Sequence, residues 1–268
     1  MEKGSKLEER LIIVKGKLGD EELDVKKRVW DETKKIWIVA FPGMLARASN
    51  FGMIVITQAV IGHVSALELA AFAMVQSLIV RFVNGVLIGM SSATETLCGQ
   101  AFGAGQHHMM GIYLQRSWIV NLITVTLLMP LFIFAGPIFV ALGQEKDVSI
   151  ASQTMSIWLI PVVYLFVFSL TIQMYLQAQL KNMIVAWLSI VSFIVQIFFS
   201  WLFVFKLNLG IPGALGSLIL SNFVVVLGEF VYICCGGCPL SWKGLTLDAF
   251  SQLWPVIKLS VSSGIMLW

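Results

Sequence analysis

Glu95 and Glu229 are the only acids within the long apolar runs of this sequence, and both are candidates for binding and releasing a proton. Coupling a proton to another event needs a titratable group whose surroundings govern its charge, and an apolar setting supplies that. Other polar residues recur near these acids at helical spacing. At about 100° per residue, Gly43, Arg47, Asn50 and Gln58 fall within an arc of about 80°. Ser77, Arg81, Asn84, Ser91 and Glu95 make a second stripe, interrupted by Ile88. Ser169, Gln173 and Gln177 form a shorter row, and Ser189, Ser192, Gln196 and Ser200 share one face. Unpaired polar groups in an apolar medium cost several kcal/mol, so these stripes turn either to other helices or to a wet cavity.

Both readings are open. Serine, asparagine and glutamine join helices by hydrogen bonds worth about 0.6–2 kcal/mol each. A packed bundle has no need of Arg47, Arg81 and Glu95 in addition, which favours a cavity. Arg47, Asn50, Gln58, Arg81, Asn84 and Gln196 are therefore the candidate cavity-lining residues. Glu95 has a structural alternative, an ion pair with Arg81 or a helix cap. Glu229 follows Asn222 by seven residues and shares its face. Lying about two turns from its helix end, it could also snorkel to the headgroups. Ser217, Ser221 and Gly228 make another face, small enough for close helix packing.

The elements that carry these residues are set by length and hydropathy. Of 268 residues, 58% are hydrophobic and 12% charged, against about 25% charged in soluble domains. Mean hydropathy is +0.87. A crossing of about 30 Å of hydrocarbon needs about 20 apolar residues. From Ile36 to Gly237 the sequence divides into six such runs, 36–62, 69–97, 113–142, 148–177, 182–206 and 211–236. A seventh opens near Leu253. Backbone groups in lipid must be bonded within the segment, so each run is expected to be a helix. The strict alternation of a membrane barrel is missing. The expectation is an all-α polytopic membrane protein, with the bilayer as its first partner. Its three regions are a charged tail (1–35), a six-helix bundle (36–237) and a loop with the start of a seventh helix (238–268).

The tail holds 19 of the charged residues and lacks the apolar run of a secretory signal. It is expected to be a solvated arm, with Glu8–Ile13 a compositional candidate for sorting. Its Lys and Arg, together with Arg116, Lys181 and Lys243 on the same side, outnumber Lys146 and Lys206 opposite. The amino terminus is accordingly expected in the cytoplasm. Pro42 and Pro161 lie inside spans and are candidate hinges. Cys235 and Cys238 have CxxC spacing, but a zinc site wants two further ligands nearby. Helix-end packing or palmitoylation accounts for them as well. No His/Glu metal spacing or Ser/His/Asp arrangement points to an enzyme. No metal, cofactor or nucleic-acid partner is expected.

The most specific local pattern is Ser91-Ser92-Ala93-Thr94-Glu95-Thr96-Leu97-Cys98-Gly99-Gln100-Ala101-Phe102-Gly103-Ala104, read as closing the second span and entering a loop. Tyr113-Leu114-Gln115-Arg116-Ser117-Trp118 follows. Thr57-Gln58-Ala59 with Gly62-His63, Trp158-Leu159-Ile160-Pro161, Ser200-Trp201-Leu202-Phe203-Val204 and Cys235-Gly236-Gly237-Cys238-Pro239-Leu240 complete the series. In this order they resemble the plant branch of the multidrug and toxic compound extrusion (MATE) family, the DETOXIFICATION proteins. Glu95, Thr96, Cys98, Gly99, Gln100 and Gly103 match that family's loop motif. The resemblance runs from about Val29 to the last residue.

It implies a transporter of two six-helix bundles that exports small organic compounds in exchange for protons or sodium. This chain would supply the amino-terminal bundle and, in Ser262–Leu267, the opening of helix seven. The acid implicated in proton coupling in plant members falls beyond Trp268. Microbial relatives carry an Asp in the first helix, where this chain has Asn50 and Gln58. The leading expectation is a proton-coupled antiporter half that needs a second bundle, from a longer product or another chain, in the vacuolar or plasma membrane. An anion-conducting pore set by Arg47 and Arg81, and a non-transporting regulatory half, are the alternatives.

Overall fold

A helix closes its backbone hydrogen bonds within one segment, which is the condition lipid imposes. The computed structural model describes residues 2–251 and 253–267, and side chains of 27–251 and 253–266 except Val39. It is helical as that condition requires. The order is α1 (Glu2–Val64), α2 (Ala66–Gly103), α3 (His107–Ile133), α4 (Ala135–Ala141), α5 (Lys146–Ala178), α6 (Asn182–Lys206), α7 (Gly210–Gly237) and α8 (Leu253–Leu267). Six of them, all but α4 and α8, are long and apolar enough to cross a membrane. Exposed residues such as Leu127, Trp187, Ile194 and Phe198 present the apolar exterior that lipid covers. The side chains of the sorting candidate Glu8–Ile13, and of the tail as far as residue 26, lie outside the described residues. The α1 backbone passes residue 35 without a break.

Five of the six expected spans fall within single helices. The third, 113–142, does not: the rod stops at Ile133 and a short helix, α4, follows. Pro137 has no N–H to give the carbonyl four residues back, that of Ile133. Gln153 of α5 makes good the break. Its Nε2 donates to Ile133 O at 2.8 Å, and its Oε1 accepts from Gly136 N at 2.7 Å. One amide thereby satisfies both sides of the interrupted ladder.

A second correction concerns Glu95–Gly103. These residues are the last turns of α2, not a loop. The connection to α3 is only Ala104–Gln106, turned by Gly105 at φ +71° and closed by Gln106 N donating to Ala101 O.

Helix α5 is the hub, packed against α2, α3, α4 and α7, while α1 lies along α6 and α7. Phe72, Leu87, Phe132 and Leu159 fill one core; Met110, Leu114, Tyr175 and Leu176 fill another towards the α2–α3 connection. Helix α8 lies on α2 at Gly89, where a Cβ would come within 2.7 Å of Gly264 Cα.

Candidate functional site

Helix α2 is wider at one point. From Gln76 to Val80 it makes a π turn, with the Arg81 amide reaching back to Gln76 O. Such turns re-aim side chains and recur at functional sites. Here Gln76, Val80 and Asn84 all face one cavity of about 130 Å³. Asn50 and Met53 of α1, Val163 and Phe166 of α5, and Asn222 of α7 close it. None of its lining residues carries a charge, and its polar groups are four carboxamides. Asn222 Nδ2 is tied to Leu218 O at 2.8 Å. Among the described residues no hydrogen bond engages the side-chain amides of Asn50, Gln76 or Asn84. These groups can donate to and accept from a neutral polar molecule, but offer no fixed charge. The volume is below the 300–1,000 Å³ or so of a drug-sized site, so it fits one polar end of a larger molecule.

Two of the expected lining residues, Asn50 and Asn84, are therefore at the cavity, and the other four are elsewhere. Gln196 is fully buried in a closed network among α1, α6 and α7. Its Nε2 lies 3.0 Å from Thr57 Oγ1, 3.0 Å from Ser200 Oγ and 3.3 Å from Ser217 Oγ, and its Oε1 accepts from Ser221 Oγ at 2.8 Å. This face joins helices. Gln58 is half-buried, and Arg47 and Arg81 are exposed. Gln76 and Asn222 were absent from the expected lining set. Asn222 had one signal, its seven-residue spacing from Glu229; the π turn that aims Gln76 leaves no mark in the spacing of α2.

The two acids differ. Glu95 is exposed, and the only ion pair among the described residues is Lys35–Glu32, so pairing with Arg81 is not seen. Glu229 does not snorkel: it is wholly buried between α7 and α5. Its Oε1 accepts from Ser169 Oγ at 3.3 Å and from Gln173 Nε2 at 3.2 Å. Its Oε2 is buried with no hydrogen-bond partner. The short row predicted on α5 thus meets the acid predicted on α7. Pro42 is buried and Pro161 exposed, in helices that continue through both.

At the end of the bundle where α7 stops, the segment after it is fastened to α3 and α5. Gln115 donates to Gly244 O at 3.0 Å and accepts from Thr246 N at 2.9 Å. Arg116, 5% exposed, donates to Asp248 O and Ser251 Oγ. Tyr175 meets Ser241 at 2.7 Å, and Lys181 donates to Gly237 O at 2.6 Å. Gly111 leaves room for Ser241 O, which a Cβ would strike. Of the motif on α2, Cys98 is buried against Met110, while Glu95, Thr96, Gly99, Gln100 and Gly103 are exposed. Cys235 is exposed and Cys238 buried. No group of three or more His, Cys, Asp or Glu able to hold a metal occurs among the described residues.

This arrangement is found in known proteins. The sequence profile of the MatE family matches residues 42–202. The chain is 47% identical to Protein DETOXIFICATION 20 of Arabidopsis thaliana over 265 residues, which cover 99% of this chain and 54% of that protein. It is 48% identical to Protein DETOXIFICATION 21 of the same plant, over 92% of this chain and 50% of the relative. It therefore spans about half the length of the curated relatives it matches. The crystal structure of the eukaryotic MATE transporter AtDTX14 superposes with a TM-score of 0.82 at 26% identity, over 88% of this chain and 53% of that one. A mutant of the Vibrio cholerae MATE transporter VcmN shares the fold, with a TM-score of 0.72 at 18% identity over 87% of this chain and 53% of that one.

Proposed function

Because this chain belongs to the MatE family of transporters, we propose that it forms the amino-terminal lobe of a secondary antiporter that exports small organic compounds in exchange for protons. Its amino terminus would lie in the cytoplasm. The observation that carries this reading is the neutral, carboxamide-lined cavity where α1, α2, α5 and α7 meet. A cargo places one uncharged polar group among Asn50, Gln76, Asn84 and Asn222. Its remainder extends towards a second six-helix bundle. An anion path through this cavity has less support, since Arg47 and Arg81 lie outside its lining.

The test is flux. The chain is reconstituted in liposomes with and without the carboxy-terminal bundle of a DETOXIFICATION relative. Efflux of a fluorescent, neutral organic compound is followed under an imposed pH gradient. Saturable flux that needs the gradient and both bundles is expected. Gradient-independent currents that do not saturate would favour a channel, and co-purification with the second bundle without flux would favour a regulatory half.

A further inference from the structure

A carboxyl group shut away from water should have its oxygens occupied, because each unsatisfied buried polar atom is costly. At Glu229 the two oxygens are treated differently. Oε1 receives Ser169 Oγ and Gln173 Nε2, and Gln173 Nε2 also donates to Ser169 Oγ at 2.8 Å. Oε2 has nothing, although the residue is wholly buried. With no donor or cation at Oε2, the ionised carboxylate is the costly buried form and the neutral acid the cheaper one. A metal cation would need a shell of several oxygens, whereas two of the groups converging on this carboxyl present hydrogen. A proton needs no such shell.

We propose that Glu229, cradled by Ser169 and Gln173, is a proton-binding site inside this lobe. A proton from water bonds to Oε2 and converts the carboxylate to the neutral acid; no other bond forms or breaks. When the proton leaves, Ser169 and Gln173 stabilise the charge that remains.

The neighbouring helices bring no competing charge. Those packed against α7 are α1, α5 and α6. Helix α6 has no titratable residue before Lys206, its last residue, which lies next to the start of α7. Helix α5 carries Lys146, Asp147, Tyr164 and Tyr175, and α1 carries Lys34, Lys35, Arg47 and His63 in its second half. None of these is hydrogen-bonded to the carboxyl; its partners are Ser169 and Gln173, and neither titrates. A polar row lies on one side of the acid and the cavity on the other. Gln177 follows Gln173 by four residues, and the row leads to the end of α5 at Ala178. In the other direction, Asn222 sits seven residues before Glu229 on the same helix face, about 10 Å along the axis. The protonation state is thus set two turns from a cavity wall. Coupling to cargo rests on the transport reading above; proton binding does not.

Infrared difference spectra of the chain in lipid nanodiscs, taken between alkaline pH and about pH 6, where exposed carboxyls stay ionised, test the site without any flux. A protonated-carboxyl C=O band is expected in the wild type and in Glu95→Gln, and is expected to be lost in Glu229→Gln, which keeps the shape and the Oε1 acceptor. Ser169→Ala keeps the acid but deletes one donor to its charged form. Its titration midpoint should move to higher pH by about one unit, the worth of one hydrogen bond to a charge. A band that survives in Glu229→Gln, or a midpoint unmoved in Ser169→Ala, overturns the proposal. A chain that shows the band but moves no cargo supports the site and counts against the antiporter.

Discussion

Gln196 and Asn84 look alike in the sequence, each an amide on a polar stripe of an apolar helix, yet their replacement should fail in different ways. Gln196 joins three helices and is fully buried. In Gln196→Leu the freed hydroxyls are not stranded, because Thr57 already donates to Met53 O, Ser217 to Ala214 O and Ser221 to Ser217 O. The loss should therefore be about 1–2 kcal/mol, in the range of interhelical hydrogen bonds in membranes, read from thermal or denaturant unfolding in detergent. Asn84→Leu removes no internal bond and should leave that stability within about 0.5 kcal/mol. In the reconstituted two-bundle assay it should instead raise the KM for a neutral cargo about three- to tenfold, one hydrogen bond's worth. A matching drop in stability with no change in KM would place Asn84 with Gln196. Helical spacing tells which residues share a face. It does not tell what that face meets. Asn50 and Asn84 were legible as lining residues, while Arg47, Arg81 and Gln196 met the same criterion and lie elsewhere.

At the scale of elements, the apolar run lengths made the six crossings readable, since lipid demands both a length and a closed backbone. The break after Ile133 was not readable. Apolar text continues through it, and the side chain that makes it tolerable, Gln153, lies on another helix. The π turn in α2 and the folding of Glu95–Gly103 into the end of that helix were hidden for the same reason: both depend on what packs alongside. The Gln153 clamp is open to a direct check. Gln153→Leu strands Gly136 N and Ile133 O at a half-buried site, so we expect a loss of about 2 kcal/mol, with faster hydrogen exchange at Gly136. The polar fastening of the segment after α7 should behave as a local unit. Gln115→Ala removes both of its contacts to Gly244 and Thr246. It should speed proteolysis within 238–251 several-fold while the melting of the bundle changes little. Unaltered cleavage would mean that Arg116 and Tyr175 hold the segment unaided.

At the scale of the whole molecule, the two exposed arginines carry the strongest constraint. Arg47 lies near the middle of the membrane-long part of α1, Lys27–Val64, and Arg81 near the middle of α2, Ala66–Gly103. Both are exposed on this lobe. An arginine at the centre of a bilayer-facing helix costs at least about 2.5–3.5 kcal/mol, so two of them facing lipid would offset much of a domain's net stability. The surface that bears them must meet water or protein, and under the proposed reading a second six-helix bundle with a wet cleft between would supply both. Helix α8 lies against α2 through the Gly89–Gly264 contact. We therefore expect the chain alone to unfold in nanodiscs at a lower temperature than the chain assembled with a carboxy-terminal bundle. Arg47→Leu with Arg81→Leu should narrow that difference by stabilising the lone chain, and should abolish flux in the pair. If the double substitution destabilised the lone chain instead, the arginines would be bonded within this lobe, and the case for a wet face between two bundles would fall with them.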